Sequence, residues 1–219
     1  MPRALFEKTG SAVWISHLDL MRLFQRAFKR AGLNLTHTQG FNPRPSVSIA
    51  LPLSVGVESR CELLDFDLEG EAVSCEEICS RLNEALVEGV KVHKVYEDGA
   101  KIKNLALLDC VVTMEYDSGV PQGGVEAIRQ LFSNASLTVE KKSKNGIQDQ
   151  DIIPMIRTLR VVLADDHTVE LYGRICCQNP TLNPIQLAAA VERYLPEMKP
   201  DFVKCGRIEI FDVNENVFR

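Results

Sequence analysis

The chain has 219 residues, of which 45% are hydrophobic and 25% charged, values that are ordinary for a soluble globular protein of one or two domains. No apolar run approaches the roughly 18–20 residues of a membrane span, and residues 2–9 carry charges where a signal peptide needs an apolar core. Seven cysteines, an odd number at irregular spacing, argue against a disulfide framework and predict reduced thiols. We therefore expect a cytoplasmic protein that contacts no membrane.

The chain begins with two predicted strands, which are followed by a helix with a recognisable start and end. Ala4–Phe6 and Ala12–Ile15 are predicted as short strands on either side of a turn at Thr9–Gly10, or as one strand with a bulged middle. Ser16, with an acidic residue three positions later, resembles a capping box and predicts a helix over His17–Ala31. Gly32 follows directly, in the position where a helix end favours a residue with positive φ.

The remaining pattern predicts an α+β fold. Ser74 and Glu77 form a complete capping box for a second helix, and the alternation of Glu62–Leu68 indicates a half-buried strand before it. Further strands and helices then repeat the order strand, helix, strand, strand, helix, strand in the second half of the chain. We therefore predict two tandem ferredoxin-like (βαββαβ) modules with antiparallel sheets, over residues 1–98 and 102–219.

Two stretches complete the sequence-based prediction of the second module. Its middle is predicted to be enlarged, with a polar, turn-rich loop at Lys141–Gln150. Thr158–Ala164 and Thr168–Cys176 are predicted to form a hairpin, which is followed by a helix that begins with Asn183 and Pro184.

The net charge of −5 hides an asymmetry along the chain. Residues 1–60 hold eight Lys/Arg against three Asp/Glu, a balance of +5, whereas the rest holds 17 basic against 27 acidic residues, a balance of −10. Four of the basic residues lie on the polar face of the first predicted helix, namely Arg22, Arg26, Lys29 and Arg30. A solvated helix face needs some charge in any case, but a local positive field also favours an anionic ligand.

A stiff loop follows this helix. Gln39–Pro45 combines two prolines and a glycine around Phe41 and Arg44, which predicts a rigid loop with an exposed aromatic residue. Fixing the shape of a loop lowers the entropic cost of binding. Trp14 and Phe6 are expected in the core, with base stacking by Trp14 as the alternative.

Five motifs in the first sixty residues carry a family resemblance: KTG at Lys8–Gly10, ISHLDLMR at Ile15–Arg22, RAG at Arg30–Gly32, QGFNPRP at Gln39–Pro45 and ALPLSVGVES at Ala50–Ser59. Together they resemble the bacterial radical-SAM-linked proteins, a domain of unknown function found alone or fused behind a cobalamin-binding radical SAM enzyme. The resemblance implies a radical SAM enzyme as partner. It also implies a genomic neighbourhood of ribonuclease G/E and large-subunit ribosomal protein genes, which points toward RNA.

The chain does not carry the cluster motif of a radical SAM enzyme itself. Cys75 and Cys79 have the first spacing of that motif, but Leu82 stands where the third cysteine is required. Both cysteines lie on the apolar stripe of a predicted helix and are interpreted as core residues. We expect no metal and no cofactor.

The first hypothesis is a non-catalytic RNA-binding or substrate-presenting accessory protein that works with a radical SAM enzyme in tRNA or rRNA modification or in ribosome biogenesis. The residues expected to contact nucleic acid are Lys8, Arg22, Arg26, Lys29, Arg30, Phe41 and Arg44. Cations would follow the phosphates, and the aromatic ring would meet a base or sugar.

Two alternatives remain open at the level of sequence. The basic face could dock an acidic surface of a radical SAM enzyme without any RNA contact. His17 could instead be the proton acceptor of a metal-independent endoribonuclease, since a histidine beside the positive end of a helix tends to stay neutral. His37, in the next extended segment, could approach the same edge.

Overall fold

The computed structural model describes residues 1–143 and 146–219. Within these residues it has four α-helices and mainly antiparallel strands, which confirms the predicted α+β class. The chain divides into two compact units: unit 1 comprises Met1–Ile102 together with Arg219, and unit 2 comprises Lys103–Phe218.

Unit 1 follows the predicted order of strands and helices. Its elements are β1 (Arg3–Lys8), α1 (His17–Arg30), β2 (Val47–Ile49), β3 (Val57–Phe66), α2 (Cys75–Ala85) and β4 (Val90–Tyr96). β1 lies between β4 and β3, and β2 pairs with the other side of β3 near its end. All three pairings are antiparallel, so the sheet order is β4-β1-β3-β2.

Both ends of α1 are set by the residues that the sequence indicated. The N–H of Asp19 donates to the Ser16 hydroxyl at 3.2 Å, which satisfies one of the unpaired donors of the first turn. At the other end Gly32 has φ +67°, and the Leu33 N–H donates to the Phe28 carbonyl at 2.9 Å. This is a Schellman ending, and the position requires the conformational freedom of glycine.

The core of unit 1 lies between its two helices and the sheet. The Phe24 ring of α1 contacts Phe6 of β1 edge-on, with 4.8 Å between ring centroids, and Phe28 contacts Phe66 of β3 at 4.9 Å. Ile78 and Leu82 of α2 are buried in the same cluster. Burial of this stripe fixes which face of α1 remains in solvent.

One predicted strand is wrong. Ala12–Ile15 does not pair with a strand; instead Gly10–Trp14 forms a 3-10 helix, in which the Ala12 N–H donates to the Thr9 carbonyl at 3.1 Å. A four-residue apolar run cannot be assigned to a strand or a helix by periodicity alone. Here Gly10, with φ +55°, turns the chain out of β1 and leads into this short helix.

Unit 2 repeats the same order around an inserted hairpin. Its elements are β5 (Leu105–Glu115), α3 (Gly124–Phe132), β6 (Thr138–Ser143), β7 (Gly146–Asp151), β8 (Ile156–Asp165), β9 (Thr168–Cys176), α4 (Ile185–Tyr194) and β10 (Phe202–Asp212). The main sheet has the order β10-β5-β9-β8 with antiparallel neighbours, and β6 pairs only with β7 in the part of the chain described.

The hairpin corrects the prediction of a turn-rich loop at Lys141–Gln150. Most of that stretch belongs to β6 and β7, whose register joins Thr138 to Asp151 and Lys141 to Gln148. Residues 144 and 145 lie outside the described part of the chain. Cross-strand pairing stabilises extended structure even where the local composition favours turns.

Candidate nucleic-acid interface

Three of the predicted arginines meet in one groove on unit 1. The solvent-facing side of α1 and the loop after α2 enclose an open groove of about 460 Å³, which we call the arginine groove. It is lined by Ile15, Asp19, Arg22, Leu23, Arg26, Arg30 and Val87. Arg22, Arg26 and Arg30 are four residues apart and therefore fall in a row along one helix face. Ile15, Leu23 and Val87 add apolar surface to the lining, and Asp19 adds one carboxylate.

Local contacts orient the ends of the arginine row. The Arg22 guanidinium donates to the Asp19 carboxylate at 2.9 Å, with both side chains exposed. Hydrogen bonds from Ser16 and Arg22 lower the pKa of Asp19, and the charges of Arg22 and Arg26 add to that effect. Arg30 donates from Nη2 to the Ala85 carbonyl at 2.5 Å, at the C-terminal end of α2, where a cation is favourable.

A glycine holds the far wall of the groove in place. Val87 is 44% exposed in the loop between α2 and β4. The carbonyl of Gly89 in the same loop accepts a bond from the Thr9 N–H at 2.7 Å. Gly89 has φ +82°, and a Cβ there would lie 2.4 Å from the Thr9 carbonyl oxygen, so only glycine allows this approach.

Phe41 and Arg44 lie on a separate feature, a ribbon of residues 36–46 that we call the arm. Its two sides are joined by a backbone bond from Ser46 to Thr36 at 2.8 Å. Towards the tip, Thr38 and Arg44 are joined twice, through the Thr38 N–H to the Arg44 carbonyl and the Arg44 N–H to the Thr38 hydroxyl. Phe41 at the tip is fully exposed (102%), as the loop composition predicted.

Lys8 requires a correction. It was predicted to contact nucleic acid, but it is completely buried in β1, and its ammonium donates to the Val13 carbonyl at 3.0 Å. A surface phosphate cannot reach it there. Lys29, by contrast, is exposed on α1 but does not line the arginine groove.

Trp14 requires a correction in the opposite direction. It was expected in the core, yet it ends the 3-10 helix with 65% of its surface exposed. Phe6 is buried as predicted. Trp14 does not itself line the arginine groove, but it directly precedes Ile15, which does. The sequence gives no signal for this exposure, because it depends on the helical turn that replaces the predicted strand.

His17 is the first residue of α1 and is half-buried. Among the described residues nothing hydrogen-bonds to its Nδ1, which is shielded from solvent. A substrate would therefore have to meet Nε2. His37 lies in the arm, where its backbone forms a bridge with Pro45.

Among the described residues the cysteines form no disulfide bond, and all seven lie in buried or half-buried positions. Cys75 and Cys79 of α2 pack half-buried against the core of unit 1. Burial raises the pKa of Cys110 and of Cys205 in unit 2 to about 12, which suppresses the thiolate that reacts with electrophiles and metals. Across the described residues, no group of three or more His, Cys, Asp or Glu is placed to hold a metal ion.

Fold and surface together define a class: an α+β protein of two compact units, with an arginine-lined groove and an aromatic-tipped arm on the first. A family model described as an uncharacterized protein conserved in bacteria (DUF2344) matches residues 2–184. The chain therefore belongs to that family. No curated protein matches it. In the described residues, no helix combines the length and apolarity needed to cross a membrane.

Among solved structures, a chain of a Cbf5-Nop10-Gar1 complex is similar, with a TM-score of 0.51 and 8% identity. The match covers 95% of this chain and 48% of that one, so the present chain spans about half its length. At this identity the likeness concerns the fold alone. A crystal structure of an unknown protein from Galdieria sulphuraria matches over 94% and 96% of the two chains, at 13% identity and a TM-score of 0.26.

Proposed function

We propose that the protein is a non-catalytic RNA-binding or RNA-presenting accessory factor that acts in the cytoplasm on tRNA or rRNA. The observation that carries the proposal is the row of Arg22, Arg26 and Arg30 in one groove with an apolar lining. Guanidinium groups pair with phosphate oxygens, and apolar side chains can cover sugars and base faces. Phe41 and Arg44 on the arm supply a second contact of the same kind.

Charge distribution supports the same proposal. An overall charge of −5 disfavours unspecific attraction to polyanions, but the +5 balance of residues 1–60 concentrates cations around α1 and the arm. Nucleic acids respond to such a local field more than to net charge. Asp19 is the one carboxylate in the groove lining, and its bond to Arg22 limits how strongly that end attracts phosphate.

The order of strands supports two tandem ferredoxin-like modules as the scaffold, which we propose to be domains 1–98 and 102–219. In unit 1, and in unit 2 when the β6–β7 hairpin is left out of the count, the fourth strand lies beside the first, and the third lies between the first and second. That is the arrangement of a split βαβ unit, with an inserted hairpin in the second module.

A radical SAM enzyme is the partner that we propose, on the strength of the sequence motifs in residues 8–59. Co-purification of the tagged full chain from its native cells tests this part separately. Recovery of a radical SAM enzyme that survives nuclease treatment would support a direct contact, and its consistent absence would contradict it.

The RNA-binding proposal predicts a specific change in salt dependence. Replacing Arg22 and Arg26 by alanine removes two phosphate contacts, so the slope of log affinity against log salt should become shallower by about 1.4 for a single strand. Fluorescence anisotropy of a labelled single-stranded RNA, measured from low to physiological salt with the full chain, gives this slope directly.

A matched control removes the same charge elsewhere. Arg157 and Arg160 are exposed arginines on β8 of unit 2, and their double alanine variant keeps the same net charge as the groove variant. Its slope should equal that of the wild type. An equal loss in both variants, or an unchanged slope in the groove variant, would contradict binding through the arginine groove.

The specific observations favour this function over the ribonuclease hypothesis. His17 presents one shielded nitrogen without a partner, and acid–base cleavage needs a second group placed to donate a proton. Incubation of the wild-type protein with total RNA decides the point, since cleavage that is lost in His17→Ala would establish the enzyme.

A further inference from the structure

We infer that the arginine groove takes unpaired, single-stranded RNA and that Trp14 stacks on one of its bases. The inference rests on the proposed function, because it specifies the form of RNA and adds a contact residue. Trp14 precedes the groove-lining Ile15 by one position and exposes 65% of its surface, including part of an indole ring that other proteins keep mostly buried. An aromatic face beside a row of cations is the usual design of a single-strand site.

The backbone that carries Trp14 is fixed on both sides. The Val13 carbonyl accepts two hydrogen bonds, from the buried Lys8 ammonium at 3.0 Å and from the Gly56 N–H at 2.8 Å. The Ile15 N–H donates to the Ala12 carbonyl at 3.0 Å and closes the turn. The indole is therefore held in solvent by a rigid segment, which lowers the entropic cost of stacking.

Neighbouring glycine leaves room for the ring. A Cβ added at Gly56 would lie 3.5 Å from Cζ3 of Trp14, so one edge of the indole rests over this glycine. The contact orients the ring without covering it. Gly56 has φ +80°, a conformation that favours glycine independently of the ring.

The spacing of the arginine row fits successive phosphates along one strand, whether that strand is paired or unpaired. Successive arginines are four residues apart on α1, which corresponds to about 6 Å along the helix axis. This is close to the distance between neighbouring phosphates of a single strand, so each guanidinium can meet one phosphate in turn. The exposed indole of Trp14 is the feature that selects an unpaired strand, because a base inside a duplex is already stacked between its neighbours.

Trp14 is the only tryptophan of the chain, and it can therefore report on its own contact. Titration of the full-length protein with an unlabelled oligouridylate of about 12 nucleotides should quench the Trp14 emission, and a blunt RNA duplex at equal phosphate concentration should quench it far less. In parallel, anisotropy of the fluorescein-labelled oligouridylate measures affinity independently of the tryptophan.

Variants separate stacking from general apolar contact. Trp14→Ala should lower the affinity for the labelled oligonucleotide by about 5- to 140-fold, whereas Trp14→Phe should retain most of that affinity. Leu18→Ala is the matched control, since Leu18 is 67% exposed four residues further on and offers no ring. Its affinity should match the wild type. Because Trp14 and Leu18 are exposed, none of these variants should lower the melting temperature appreciably.

The outcomes distinguish failure of the Trp14 stacking inference from failure of the RNA-binding function on which it rests. Tight binding of the oligonucleotide without quenching, and with unchanged affinity in Trp14→Ala, overturns the inference and leaves the RNA-binding function intact. Equal losses in Trp14→Ala and Leu18→Ala overturn stacking. Failure to bind either the single strand or the duplex overturns both the stacking inference and the RNA-binding function. If Trp14→Ala loses protein partners while its RNA affinity is unchanged, the surface is assigned to protein docking.

Discussion

Lys8 and Trp14 have the opposite solvent exposure from the one that their residue types suggest. The cation is buried and bonded to the Val13 carbonyl, and the large aromatic residue is in solvent. The two observations are linked, because Lys8 fixes the carbonyl of the residue just before Trp14. A buried ammonium is costly to desolvate, so it is retained only where its hydrogen bonds are satisfied. Lys8 is therefore a positioning residue for the turn that presents Trp14.

This role predicts a stability loss together with a local loosening. Lys8→Ala removes both the packed aliphatic stem and the donor to Val13, and should lower the free energy of unfolding by about 2–4 kcal/mol. Lys8→Met keeps the stem but not the donor. Urea denaturation measures the first effect, and the steady-state anisotropy of Trp14 should fall in both variants.

Lys29→Met is the control, since Lys29 is exposed on α1 and its replacement should change neither quantity. A Lys8→Met protein with wild-type Trp14 anisotropy would show that the Lys8 bond does not hold the turn.

At the scale of elements, the arm behaves as a preformed unit. It is anchored at its base, where the Thr36 N–H donates to the Asp67 carbonyl and the Asp67 N–H donates to the Ser46 carbonyl, each at 3.0 Å. Bonds between Thr38 and Arg44 then close the tip around Phe41. Such a ribbon can present an aromatic ring without first ordering the loop.

The exposure of Phe41 predicts a separation of binding from stability. Phe41→Ala should leave the unfolding midpoint unchanged within error, because a fully exposed ring buries no surface in the free protein. It should lower the affinity for RNA several-fold, since one base or sugar contact is lost. Parallel thermal melts and anisotropy titrations measure both. Weaker folding with unchanged binding would assign Phe41 a structural role and contradict the proposal.

Elements bounded by local signals were predictable from the sequence. Ser16 and Gly32 delimit α1 through hydrogen bonds to residues a few positions away, and Ser74 starts α2 in the same way through the Glu77 N–H. The hairpin predicted at Thr158–Ala164 and Thr168–Cys176 is confirmed as well, because β8 pairs with β9. Capping and alternation are properties of short segments, so a single sequence contains them.

Features that depend on distant residues were not predictable. The burial of Lys8 and the exposure of Trp14 both follow from bonds that reach across the turn and to Gly56. The β6–β7 hairpin is polar, and one of its contacts joins Lys141 to the Thr181 carbonyl at 3.2 Å, forty residues away. Val87 lines the groove only because Gly89 brings its loop against Thr9. No local pattern records such contacts.

At the scale of the whole molecule, net charge is distributed unevenly along the chain. The first sixty residues carry the positive balance of +5 and the remainder carries −10. An acidic remainder repels polyanions from the rest of the surface and so favours one site over general adhesion. Because the positive charge is concentrated in the first sixty residues, reversing charges on α1 alone should remove most of the protein's attraction for RNA.

The most direct test is ultraviolet crosslinking of the full chain to RNA in its native cells, followed by denaturing purification and sequencing of the attached RNA. The control is the Arg22→Glu, Arg26→Glu variant, whose exposed substitutions should leave the protein folded. We predict enrichment of one tRNA or rRNA region with the wild type and its loss in the variant. Recovery of RNA no greater than that of the variant would contradict RNA binding through the arginine groove and would favour docking to a protein partner.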